Sequence, residues 1–106
     1  MEKMIENLWN EHMQRVFPKG YAGQEIQGFD LVLLDTETAG CIDTFLHDAH
    51  KYKYRLDEPR IAMLGTCYRA LAIIQPFLTS EEAKEYFSRL GRMAGLILDW
   101  ISARRT

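Results

Sequence analysis

Between residues 61 and 80 the chain carries one charge, Arg69. The run reads Ile-Ala-Met-Leu-Gly-Thr-Cys-Tyr-Arg-Ala-Leu-Ala-Ile-Ile-Gln-Pro-Phe-Leu-Thr-Ser. A helix that is apolar nearly all the way round must be covered on most of its sides. The run therefore predicts the central helix of a small helical domain, or a helix shared with a second copy of the chain. Its length approaches that of a membrane span. Arg69, Gln75 and Pro76 interrupt it, and its hydropathy falls short, so no membrane role is expected.

The rest of the chain supplies partners for that helix. Ile5, Leu8, Trp9, Met13 and Val16 recur at helical spacing and predict a first helix over about 2–16, ended by Pro18 and Gly20. Residues 18–28 hold three glycines and a proline and read as a loop, long for a bundle connection. Leu31, Leu34, Thr38, Ile42, Phe45, Leu46 and Ala49 predict a second helix over about 30–51. Phe29 to Leu34 alone would pass for a strand, but the helical spacing continues beyond it. Asp57-Glu58-Pro59 opens a third helix, about 58–78, as a capping acid followed by an acid and a proline in the first turn. Pro76 closes it. Thr79-Ser80-Glu81-Glu82 fits a capping box with Thr79 as the cap and Glu82 reaching back. A fourth helix follows over about 80–103. The fold class is thus all-α, an antiparallel four-helix bundle in up-down-up-down order, forming a single domain over 1–106.

With 106 residues a modest core needs no metal or disulfide staple. The net charge of −2 argues against nucleic acid as a partner. The acidic start Met-Glu-Lys-Met-Ile-Glu-Asn does not resemble a secretory signal, so a cytoplasmic location is expected. There two cysteines are expected to be reduced thiols.

Three polar residues fall inside apolar stripes: His12 among Ile5, Leu8, Trp9 and Val16; Asp35 among Leu31, Leu34, Thr38 and Ile42; and Gln75 among Leu64, Tyr68, Leu71 and Leu78. If the helices alternate in direction, all three come to one level, beside the glycine-rich loop. A ligand site of His12, Tyr21, Asp35 and Gln75 follows, with Tyr21 as an aromatic lid. The structural alternative is a satisfied polar layer that sets helix register. Asp35 beside His12 would raise the imidazole pKa while burial would lower it, and the charge is expected to win.

Asp43, His47 and His50 share one side of the second helix and form a metal alternative, although no Glu-x-x-His pair accompanies them. Cys41 and Cys67 stand level across the second and third helices, as buried thiols or as a disulfide. The Lys51-Tyr52-Lys53-Tyr54-Arg55 run, with Arg104 and Arg105, has the alternating bases and aromatics that can bind phosphates and stack bases, but against the negative net charge it reads as a solvated helix end with its cations set against the dipole. Gly91 and Gly95, with Ser88 and Ser102, mark a close helix approach inside the domain.

The apolar residues of the third helix spread beyond one stripe. Leu33, Arg69, Ile73 and Phe77 then form an outward interface, and a homodimer or another protein partner is expected. No catalytic, nucleotide or cofactor motif is present, so no cofactor is expected. The function expected is a protein-interaction or regulatory module without catalysis. The alternative is a ligand-binding or enzymatic bundle built on the His12–Asp35 layer.

Overall fold

The computed structural model describes residues 1–47 and 54–105. It is mostly helical: α1 (Glu2–Met13), α2 (Leu31–His47), α3 (Glu58–Ile74) and α4 (Glu81–Ala103), with a two-stranded hairpin, β1 (Glu25–Ile26) and β2 (Phe29–Asp30), ahead of α2.

α1 turns Ile5, Trp9 and His12 inward at i, i+4 and i+7. It stops at Met13, three residues short of the predicted end, and Val16 is 76% exposed. Pro18 disfavours helical geometry at Phe17. The chain leaves the helix so that Pro18 is fully buried and the Phe17 ring meets Tyr86 and Phe87, centroids 5.7 and 5.9 Å away.

The loop does not run directly into α2. Gln27 and Gly28 have φ of 54° and 83°, the positive pair that closes a two-residue hairpin. Ile26 therefore pairs with Phe29 and Glu25 with Asp30. Asp30 then caps α2, its Oδ1 accepting from Leu33 N–H at 3.0 Å. The sequence signal for the hairpin was Gln27-Gly28 between Ile26 and Phe29.

α3 begins as expected, with Asp57 accepting from Arg60 N–H at 3.0 Å and Pro59 in its first turn. It ends at Ile74 and continues as a 3₁₀ turn, Gln75–Phe77. Pro76 has no N–H for a fourth-residue bond and tightens the chain there. The cap of α4 is Ser80, not Thr79. Ser80 Oγ accepts from Ala83 N–H at 3.1 Å, and Thr79 is occupied by Tyr21.

The central helix is α4 and not α3, correcting the expectation from the long apolar run. α4 packs on α1, α2 and α3, whereas the main contact of α1 is with α4 alone. Its buried stripe is Ala83, Tyr86, Phe87, Leu90, Met93, Ala94 and Ile97. α3 buries Leu64, Cys67, Ala70, Leu71 and Ile74 but leaves Met63, Tyr68 and Ile73 exposed. Small residues bring α3 and α4 together. A Cβ on Gly91 would lie 3.7 Å from Leu71 Cβ, and one on Gly95 only 2.9 Å from Tyr68 Cε1. No helix among the described residues is long and apolar enough to cross a membrane.

Two ends of the molecule differ in chemistry. At one, Glu2 accepts from the Trp100 indole and lies 3.4 Å from Arg104, Phe45 and Trp100 rings meet edge-on at 5.4 Å, and Tyr54 donates to Glu6 at 2.7 Å. At the other, the end of α1 meets the start of α4, and there lie His12, Tyr86 and Asp35.

Candidate functional site

His12 is 4% exposed. Its ring lies against Tyr86, centroids 4.4 Å apart, and near Trp9 at 6.3 Å. Among the described residues neither imidazole nitrogen has a hydrogen-bond partner. Burial and then the nearby Arg89 guanidinium push its pKa down to about 4, against a smaller opposing effect of Glu11. The expected rise through Asp35 does not occur. Asp35 is held by another group: the Tyr86 hydroxyl stands 3.0 Å from both of its carboxylate oxygens and donates to them. Burial raises the Asp35 pKa and the Tyr86 bond lowers it, with burial the larger effect. Burial, then the Asp35 charge, raises the Tyr86 phenol. His12 and Asp35 thus belong to one group, but through Tyr86 and not by direct contact.

Arg89 completes the group. It follows Glu82, Glu85 and Tyr86 on one face of α4, at i+7, i+4 and i+3. A glutamate four residues before an arginine is the spacing that favours a helical ion pair. Glu85 and Arg89 do not form one: among the described residues Arg89 makes no ion pair, and its Nη1 is buried without an acceptor. A cleft of about 270 Å³ opens beside it between the end of α1 and the start of α4, lined by Gln14, Arg15, Val16, Glu82, Glu85, Tyr86 and Arg89. Arg89 and Tyr86 were missed as site residues because both fit bland readings, one a solvated charge and the other a core aromatic. The available signal was the Tyr86 hydroxyl on a buried stripe, which needs a partner.

The other predicted members lie elsewhere. Tyr21 is buried core and no lid. Its hydroxyl accepts from the N–H groups of Thr79 and Ser80, at 3.1 and 3.3 Å, and exchanges a hydrogen bond with the Thr79 hydroxyl at 3.0 Å. These bonds at the start of α4 bring its pKa down to about 8. Gln75 is half-buried and donates to the Lys84 carbonyl at 3.3 Å. It lines a separate groove with Tyr68, Phe87 and Gly91, on another face of α4, so it does not join His12.

Asp43 and His47 pair on the exposed surface, 3.3 Å apart. His50 lies outside the described residues, as do Lys51, Tyr52 and Lys53. Among the described residues no three metal-binding side chains converge. Cys41 and Cys67 are free, buried thiols whose pKa values burial raises, so they behave as small apolar groups. Tyr54 packs on Phe45 and Trp100. Arg104 lies over the Trp100 ring at 3.7 Å, and Arg105 pairs with Glu58.

On the opposite side, Leu33, Ile73 and Phe77 are 55%, 48% and 51% exposed. Leu33 borders a groove of about 340 Å³ between the hairpin, α2 and α3, along Thr66, Cys67 and Ala70. Ile73 and Phe77 continue the Thr66–Ala70 row at helical spacing. Arg69 stands in that row and donates to Thr66 Oγ1 at 3.3 Å.

A scan against protein-family models, a search of curated proteins and a search of solved structures each gave no match to this chain.

Proposed function

We propose that the chain is a protein-interaction module without catalysis of its own, and that it self-associates through the outer face of α3. One observation carries this reading: Ile73 and Phe77 form a row at helical spacing with Arg69, Leu33 borders the groove along Thr66 and Ala70, and all three apolar side chains are half-exposed. Burying such a row removes apolar surface from water at about 25 cal/mol per Å². A stable homodimer needs about 800 Å² from each copy, and a two-fold pairing lets one row cover its own counterpart. The bundle enters this reading in up-down-up-down order. Its support is Glu2 beside Trp100, Phe45 beside Trp100, His12 beside Tyr86 and Gln75 beside Lys84. Two free thiols fit a cytoplasmic setting.

Light scattering of the purified chain at micromolar concentration should report twice the chain mass. Ile73→Glu with Phe77→Ser should return it to a monomer with an unchanged circular-dichroism spectrum. A wild-type monomer over a hundredfold concentration range ends the reading.

A second reading has its own observation. Among the described residues Arg89 makes no ion pair and its Nη1 has no hydrogen-bond partner, and Arg89 lines a cleft, whereas buried polar groups are normally satisfied. A small ligand with an anionic group, bound between α1 and α4, would give the Arg89 guanidinium a partner. The glycine-rich loop would then be structural support rather than a lid, since Tyr21 ties it to α4.

A further inference from the structure

The cleft beside Arg89 has a charge order. Arg89 lines it one turn beyond Glu85, near enough to His12 and Tyr86 to act on both electrostatically, and its Nη1 is buried and, among the described residues, without a hydrogen-bond partner. Toward the start of α4 stand Glu85 and Glu82, both exposed and, among the described residues, without an ion pair. Arg15 lines the cleft too, but Glu11 occupies it at 3.6 Å. The uncommitted groups among the described residues are therefore one half-buried cation and two exposed carboxylates on the same face of one helix.

A dianion such as phosphate would satisfy Arg89 but would face the two glutamates. A simple cation would suit the glutamates and leave Arg89 orphaned. A molecule with a carboxylate at one end and an ammonium at the other satisfies both. Its carboxylate can pair with Arg89, whose guanidinium lines the cleft and favours carboxylates. The Tyr86 ring forms the inner wall and is fixed by Asp35, so the site is set before the ligand arrives.

Resting on the ligand-binding reading above, we infer that the cleft between α1 and α4 binds a small amino-acid-type zwitterion, with Arg89 holding the carboxylate and Glu82 and Glu85 the ammonium. Asp35 is a positioning residue, because it acts by holding Tyr86, whose ring lines the cleft.

The test is an NMR titration of the full chain with each of the twenty common L-amino acids, with acetate and inorganic phosphate as probes of single charge sign. The readouts are the His12 imidazole and Arg89 side-chain resonances. At least one amino acid should give saturable shifts with Kd of about 1 mM or tighter. Acetate should bind at least threefold more weakly, and phosphate more weakly still. Arg89→Gln should weaken binding at least tenfold. Glu82→Gln with Glu85→Gln, at exposed positions that leave the fold intact, should weaken the amino acid severalfold and leave acetate unaffected or improved. Saturation by phosphate or acetate alone would overturn the zwitterion and keep the ligand site. No saturable shift with any probe would remove both. Amino-acid binding that ignores Arg89→Gln would overturn the assignment of Arg89.

Discussion

Thr79 and Ser80 are neighbours with different tasks at the start of α4. Ser80 accepts the Ala83 N–H, and Thr79 joins its hydroxyl to Tyr21. Ser80→Ala is expected to cost about 1 kcal/mol through loss of the cap. Thr79→Ala is expected to cost about half as much, because the Tyr21 oxygen keeps both backbone N–H donors. Urea melts of the two variants check the order, and a larger loss for Thr79→Ala would restore Thr79 as the cap. His12 sets a pH dependence of definite sign. Its pKa falls from 6.5 to about 4 in the folded chain. Between those values the unfolded state binds more protons, so stability is retained above pH 6.5 and lost as pH falls toward 4. At about 1.4 kcal/mol for each pH unit, the loss by pH 4 approaches about 3 kcal/mol. Urea midpoints of wild type and His12→Leu at pH 7, 5.5 and 4 should diverge, with the wild type falling further on acidification. Parallel curves would mean that His12 is solvated. The place of His12 on a buried stripe was legible from Ile5, Trp9 and their spacing. The direction of its titration was not, since that required knowing that Tyr86 takes Asp35 and leaves burial to dominate.

Among the elements, α2 and its hairpin separate local from tertiary control. Gly40 sits mid-helix in α2, exposed, and a Cβ there meets nothing within 4 Å. Gly40→Ala is expected to stabilise the chain by up to about 1 kcal/mol, the helix-propensity difference. Gly28 also has open space, but its φ of 83° is one that L side chains rarely adopt. Gly28→Ala is expected to destabilise by about 1 kcal/mol or more and to loosen the hairpin. Denaturant midpoints with opposite shifts confirm both, and shifts of one sign would show that space, not backbone conformation, governs. The capping acid Asp57 and the break at Pro76 were readable because both act within one turn of chain. The hairpin was passed over because each strand is two residues long, too short for alternation to show. The end of α1 was misplaced because Val16 fits the stripe by number, while leaving the helix lets Phe17 meet Tyr86 and Phe87 of α4 and buries Pro18.

Across the whole molecule, α4 is the common partner and α1 the least anchored helix. α1 holds to α4 through Ile5, Trp9 and His12, with Glu2 and Glu6 bonded at its outer turn. A twelve-residue helix has little stability alone, so it should open before the rest. Native-state hydrogen exchange should show α1 amides at least tenfold less protected than those of residues 90–94 in α4. Equal protection would mean that α1 unfolds only with the whole. Amphipathic spacing, capping residues and prolines, which act through neighbours three or four positions away, determined that this chain makes four helices and roughly where they lie. They also placed His12 and Asp35 in the buried faces and Leu33, Ile73 and Phe77 outside. Tertiary packing alone decided that α4 and not α3 is central, that Ser80 and not Thr79 caps it, and that Gln75 faces a different groove. The reason is geometric. A stripe gives the angle of a side chain about its own helix, but which group it meets depends on how neighbouring helices rotate and slide. Here that places Tyr86, 51 residues from Asp35 in the chain, between two residues that the helical wheel had set side by side.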